Sequence, residues 1–190
     1  MDRSRKTRQV LDAVFFVSPE QKLLRFLLSE PTTSFTPRVL SSKLKGVRGL
    51  GGAEGIKKIV EELSELGLVQ SVDNNRKICL HNEHVAVRLM KTFAALCDLD
   101  DLRLALEPIT DKGVLFGSRA NGLASSDSDY NLFVVGDDQE EIERIAGQHP
   151  MGKKITVTVA SPSKNVSLRD SNPDLFDAVE KGFVLWGNAW

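Results

Sequence analysis

The stretch Gly117-Ser118-Arg119-Ala120-Asn121-Gly122, followed by Ser128-Asp129-Tyr130-Asn131-Leu132-Phe133-Val134, decides the expected fold of the C-terminal half. The apolar run Gly113–Phe116 predicts a strand that leads into the Gly-Ser turn, and a second strand begins at Asp129. Asp129 and Asn131 are two residues apart, so they share one face of that strand. If the two strands are neighbours, a carboxylate and an amide oxygen lie beside a turn that can approach a phosphate closely. This arrangement is typical of a site for a magnesium–nucleoside triphosphate complex.

Short strands and helices alternate on both sides of this stretch. Strand patterns cover 113–116, 130–135 and 155–160, and helical patterns cover about 138–148 and 173–181. Such alternation within a short length of chain predicts a small α/β domain, with a mixed sheet flanked by helices.

In these residues the sequence resembles the minimal nucleotidyltransferases of the DNA polymerase beta superfamily, whose hallmark is Gly-Ser followed by Asp-x-Asp. The positions in register are Gly117, Ser118, Ala120, Gly122, Ser128, Asp129 and Leu132. The final stretch 177–187 is similar to the closing helix and strand of that family, so the resemblance covers about residues 100–188. It implies Mg²⁺ as cofactor, a nucleoside triphosphate as ligand or substrate, and Gly117 and Ser118 as nucleotide-binding residues. Arg119 is a further candidate phosphate ligand, with a solvated loop arginine as the alternative.

The sequence departs from the family pattern at two acidic positions. The second aspartate is replaced by Asn131, and the strand expected to carry a third acid offers only Thr156 and Thr158 on the relevant face. Loss of one charge pair at ~4 Å costs about 4 kcal/mol at an effective dielectric constant of ~20, which is comparable to a whole millimolar metal site. We therefore expect Asp129 to be the remaining metal ligand and catalytic acid, Asn131 to be a degenerate catalytic position, and catalysis to be impaired or lost.

Two alternatives to this interpretation stay open. Asp127 and Asp129 form a second Asp-x-Asp in a shifted register. An active Mg²⁺-dependent enzyme, moving a nucleoside monophosphate to a protein or small molecule, is the second alternative. Some minimal nucleotidyltransferases act as antitoxins, so the resemblance also adds a helical toxin to the candidate partners.

The N-terminal half has the element order of a winged helix-turn-helix. Helical patterns cover 19–30, a short segment after Thr36-Pro37, and about 54–66, and Gly67 is a helix-ending signal. The runs 68–72 and 76–80, joined by Asp73-Asn74-Asn75, predict a hairpin. We place this domain at residues 1–95, with a linker helix at about 83–97, and the nucleotidyltransferase-like domain at 98–190. A separate short helix is predicted near 99–107.

Basic side chains in the N-terminal domain predict DNA binding. In a winged helix the third helix enters the major groove, which would bring Lys57 and Lys58 to the bases. Arg76 and Lys77 on the wing are expected to meet phosphates, together with the tail residues Arg3, Arg5, Lys6 and Arg8. The third helix also carries Glu54, Glu61, Glu62 and Glu65, which weakens the case for base recognition. A dimerisation or protein-docking module, including a homodimer, is the alternative.

The overall composition agrees with two modules. The chain has 190 residues and a net charge of −1, but residues 1–95 hold 16 basic and 10 acidic side chains, and residues 96–190 hold 9 and 16. Two cysteines and the lack of any apolar run long enough for a membrane span predict a cytoplasmic protein without membrane contact.

Overall fold

The computed structural model describes residues 11–188, and its first part consists of helices closed by a hairpin. The elements are α1 (Leu11–Phe15), α2 (Pro19–Ser29), α3 (Pro37–Lys43), α4 (Gly52–Glu65), β1 (Val69–Val72) and β2 (Lys77–Leu80). The predicted order of three helices and a hairpin is present in α2 to β2. The additional short helix α1 was not predicted.

Local signals in the sequence set the ends of these helices. Ser18 caps α2 by accepting from the Gln21 amide, and the Gln21 side chain accepts from the Ser18 amide in return. The Thr36 side chain caps α3 by accepting from the Val39 amide, and proline occupies the first position of both helices. Gly67 follows α4 with a φ of 70°, and its amide donates to the Ser64 carbonyl.

The hairpin turn uses left-handed backbone conformations. Asp73, Asn74 and Asn75 have φ values of 54°, 52° and 63°, which asparagine and aspartate tolerate better than other side chains. β1 and β2 pair antiparallel, and Phe35 forms a bridge with Ile78 that attaches the loop before α3 to the hairpin. The helices and the hairpin share one hydrophobic core. Its buried members include Leu23, Leu27, Leu28, Leu40, Ile56, Leu63, Ile78 and Leu80.

One long helix, α5 (Val85–Leu106), runs from this core into the next. The prediction of two helices, about 83–97 and 99–107, is therefore wrong. Acidic residues near its middle interrupt the apolar pattern, but Asp98 is bound by Arg25 and Asp100 by Arg103, so the helix continues through them. Ala94 belongs to the N-terminal core and Ala95 to the next one, so the change of core falls inside α5.

The remaining elements form a four-stranded mixed sheet with helices on both faces. They are β3 (Lys112–Phe116), β4 (Tyr130–Val135), α6 (Gln139–Gln148), β5 (Ile155–Ala160), α7 (Pro162–Val166), α8 (Leu168–Ser171), α9 (Pro173–Glu180) and β6 (Phe183–Trp186). The strand order is β5-β4-β3-β6, with β4 and β5 parallel and the other neighbours antiparallel. The expected mixed α/β class is confirmed.

The alternation of side chains along β4 separates two cores. Tyr130, Leu132 and Val134 pack with α5 and α6, whereas Phe133 and Val135 pack with α8 and α9. Asn131 is on the same side of β4 as Phe133, so it belongs to the face away from α5. Among the described helices, none combines the length and apolarity needed to cross a lipid bilayer.

Candidate functional site

The Gly-Ser turn lies directly after β3 and against β4. Phe116 and Asn131 are paired residues of these antiparallel strands. Gly117 has a φ of 75°, and a Cβ built on it would lie 2.9 Å from Asn131 Nδ2. The turn therefore accommodates glycine, and the Asn131 side chain lies against it.

The turn is also closely packed onto α5. Gly122 has a φ of 72°, and a Cβ added there would approach the Arg88 carbonyl oxygen to 2.2 Å. Thr92 Oγ1 donates to the Ala120 carbonyl at 3.1 Å. The Ser118 hydroxyl is half-buried and has no hydrogen-bond partner among residues 11–188. The hydroxyl is available for a ligand.

Arg119 holds the segment that precedes Asp129. Its Nε and Nη2 donate to the Ser128 carbonyl at 3.2 and 2.8 Å, and its Cζ lies 4.4 Å from the centre of the Tyr130 ring. The side chain is only 5% exposed, so the alternative of a solvated loop arginine is wrong. A contact between Arg119 and a bound phosphate stays a prediction.

The segment 125–128 is hydrogen-bonded internally and to two other parts of the chain. The Ser125 amide donates to Ser128 Oγ at 2.9 Å within the segment. Lys154 Nζ donates to the Ser126 carbonyl at 3.0 Å, and the Ser126 amide donates to Thr32 Oγ1 at 3.1 Å. The N-terminal part thus directly contacts the segment that leads into Asp129.

Oxygen ligands are few on this face of the sheet. Asp129 is exposed just before β4, and Asn131 is paired with Thr156, also exposed, on parallel β5. No group of three His, Cys, Asp or Glu side chains suited to a metal ion occurs in the described part of the chain. One carboxylate, one amide and one hydroxyl fit a Mg²⁺ already chelated by nucleotide phosphates better than a bare ion.

The predicted DNA-binding residues lie on two elements and differ in their partners. Lys57 and Lys58 are exposed on α4, and Lys57 Nζ is 2.7 Å from Glu54 Oε1. On the hairpin Lys77 Nζ is 3.4 Å from Asp73 Oδ2. Arg76 is exposed and, like Lys58, has no acidic partner within residues 11–188. The tail residues Arg3, Arg5, Lys6 and Arg8 are outside the described residues.

A polar network that connects the N-terminal part to β4 was missed by the sequence reasoning. Arg25 of α2 forms ion pairs with Asp12 and Asp98, and Tyr130 donates to Asp98 Oδ2 at 2.5 Å. Burial, together with the Asp98 charge, raises the pKa of Tyr130. No local pattern reveals this network, because Arg25 and Asp98 are 73 residues apart.

Comparisons with known proteins add no family assignment to this geometry. No protein-family model matches the sequence, and no curated protein matches it either.

Proposed function

We propose that the chain is a DNA-binding regulator in which a winged helix is fused to a nucleotidyltransferase-like domain. That second domain binds a nucleotide, and its catalysis is impaired or lost. The observation that carries the proposal is the position of Asn131 Nδ2, which lies 2.9 Å from where a Cβ on Gly117 would be. An amide lies beside the turn at the position where the resemblance implies a second carboxylate. Thr156, the neighbour of Asn131 on β5, adds a hydroxyl and no acid.

Each residue of the turn region has a defined part in nucleotide binding. The left-handed Gly117 brings the backbone close to the phosphates, and the unpaired Ser118 hydroxyl donates to a phosphate oxygen. Asp129, exposed at the start of β4, would hold a bound Mg²⁺. The ion would supply charge neutralisation at the phosphates. Asn131 cannot accept the proton of an attacking hydroxyl, so transfer lacks a general base at this position.

Calorimetric titration with Mg²⁺–ATP, GTP, CTP and UTP tests the nucleotide site. We expect binding to be lost in Asp129→Ala and kept in Asp127→Ala, which removes an exposed carboxylate two residues away. Loss of binding in both Asp127→Ala and Asp129→Ala would support the shifted register instead. Binding of none of the four nucleotides would contradict the proposed site.

Incorporation of a labelled nucleotide separates a binding protein from an enzyme. We expect little or no transfer by the native chain and an increase in Asn131→Asp, since the change restores a carboxylate near the turn. Efficient metal-dependent transfer by the native chain, abolished by Asp129→Ala, would establish the enzyme alternative.

The DNA-binding part of the proposal rests on the exposed cations of α4 and the hairpin. Lys58 and Arg76 are the members of this set without an acidic partner in residues 11–188. We expect Lys58→Gln and Arg76→Gln each to weaken binding to a mixed-sequence duplex and to lower the salt dependence by about one phosphate contact. Fluorescence anisotropy measures both quantities. Lys181→Gln, an exposed lysine after α9, is the matched control. An equal loss in the control would contradict a specific DNA-binding face.

A further inference from the structure

A cavity of about 600 Å³ lies between the N-terminal part and the sheet. Helix α2 and the loop after α3 line one side of it, and Arg119, Tyr130 and Lys154 line the other. The Tyr130 side chain is on the α5-facing side of β4, opposite to Asn131. Gly117, Ser118, Asp129 and Asn131 are not among the lining residues, and of the Gly-Ser turn only Arg119 borders the cavity. Its volume is in the range of small-molecule sites.

The charges that line the cavity are unbalanced. Four cations line the cavity against two acids, Asp12 and Asp98, and both acids pair with Arg25. The other three lining cations, Lys22, Arg119 and Lys154, form no ion pair with any of residues 11–188. A surplus of positive charge remains in a partly buried space, where charge is screened less than on an open surface.

Arg119 is the most deeply buried of the three lining cations that form no ion pair within residues 11–188. The residue is 95% buried, and it uses Nε and Nη2 on the Ser128 carbonyl. Nη1 has no acceptor among residues 11–188. Because Arg119 borders the cavity, this group is a candidate donor to a ligand bound there.

The number of cations favours a phosphate over a carboxylate. The Nε edge of Arg119 is bound to the Ser128 carbonyl, which leaves the Nη1–Nη2 end of the guanidinium for an anion. Separate donors from Arg119, Lys22 and Lys154 suit the three oxygens of a phosphate monoester. The apolar walls, which include Phe16 and Phe26, would contact an organic group attached to it.

We propose that this cavity binds a small organic phosphate ester, at a site distinct from the Gly117 turn. The ligand bridges the two parts of the chain, because Lys22 belongs to α2 while Arg119 and Lys154 belong to the sheet region. Adenosine monophosphate is a suitable probe in the presence of EDTA, since metal-dependent binding at Asp129 is then suppressed. Adenosine is the uncharged control, and inorganic phosphate tests the anion alone.

Calorimetry with these probes on a set of matched variants tests the site. We expect adenosine monophosphate to bind and Lys22→Gln and Lys154→Gln each to weaken it about tenfold, the effect of one charge-assisted hydrogen bond. Lys153→Gln removes an exposed neighbour outside the cavity lining and should leave binding unchanged. The Lys22 side chain makes no hydrogen bond within residues 11–188, so we expect Lys22→Gln to keep the fold intact even if Lys154→Gln does not.

The outcomes separate this site from the proposed nucleotide site. Asp129→Ala should abolish the Mg²⁺-dependent titration and leave binding in EDTA unchanged. Lys22→Gln should weaken binding in EDTA about tenfold and leave the Mg²⁺-dependent titration unchanged. Equal binding of adenosine, or equal loss in Lys153→Gln, would overturn the proposal. Absence of binding by adenosine monophosphate and by phosphate would overturn it as well, whatever the result at Asp129.

Discussion

Tyr130 donates its hydroxyl hydrogen to Oδ2 of Asp98 at 2.5 Å, and this bond joins β4 to the middle of α5. The other oxygen of Asp98 accepts from Arg25 Nη2, so helix α2 is attached to the same carboxylate. Tyr130 directly follows Asp129 in the sequence, and the Arg119 guanidinium lies over the Tyr130 ring. The network thus connects the N-terminal part to both ends of the segment between the Gly-Ser turn and β4.

Tyr130 should ionise well above the ordinary tyrosine range in the folded protein. Burial and the neighbouring Asp98 raise its pKa, and it is the only tyrosine of the chain, so ultraviolet absorbance reports on it alone. In denaturant the midpoint should return to ~10. Above that pH the unfolded chain releases the proton first, so the free energy of unfolding should fall as the pH rises further. A native midpoint near 10 would show that Tyr130 does not donate to Asp98.

Gly122→Ala should destabilise the protein strongly. The added Cβ would lie 2.2 Å from the Arg88 carbonyl oxygen, a backbone atom, at a φ of 72°. We expect a loss of about 2–4 kcal/mol in the free energy of unfolding, measured by chemical denaturation. The matched control is Gly147→Ala in α6, where nothing lies within 4 Å and the stability should rise by about 0.5–1 kcal/mol. Similar effects at the two glycines would rule out the close packing of the turn on α5.

The two cysteines should differ in reactivity toward a thiol reagent. Cys97 is buried in α5, and burial, followed by the charge of Asp12, raises its pKa to about 12. Cys79 is partly exposed on β2. Because the thiolate is the reactive form, the native protein should label quickly at Cys79 only and at both positions after unfolding. Cys79→Ser should abolish the fast reaction; fast labelling that survives this change would contradict the burial of Cys97.

Much of the fold could be predicted because its signals are local. Ser18 and Thr36, each followed by proline, begin helices where expected, and the alternating runs after residue 112 form the expected strands. The continuity of α5 could not be predicted in this way. Asp98 and Asp100 interrupt its apolar pattern, and they are accommodated by Arg25 and Arg103, of which Arg25 is distant in the sequence.

The candidate site could likewise be predicted only where its geometry depends on local sequence signals. The contact between Gly117 and Asn131 follows from the pairing of β3 with β4, which the spacing of the motif suggested. The bonds of Ser126 to Thr32 and Lys154 depend on how the N-terminal part packs against the sheet region, and no periodic pattern in the sequence predicts that packing. The cavity proposed for a phosphate ester was missed for the same reason.

Ser126→Ala should loosen the segment that leads into Asp129. The Ser126 hydroxyl lies 3.1 Å from the hydroxyls of both Thr32 and Thr33 and accepts from the Thr32 amide at 3.3 Å. We expect a loss of about 0.5–1.5 kcal/mol in stability and faster amide hydrogen exchange in residues 123–128. Ser64→Ala, at an exposed serine of α4, is the control; its higher helix propensity should raise stability by up to about 0.5 kcal/mol, and exchange in residues 123–128 should not change. Unchanged exchange in Ser126→Ala would mean that the N-terminal part does not order this segment, and the binding of Mg²⁺–nucleotide would then be independent of the Thr32 contact.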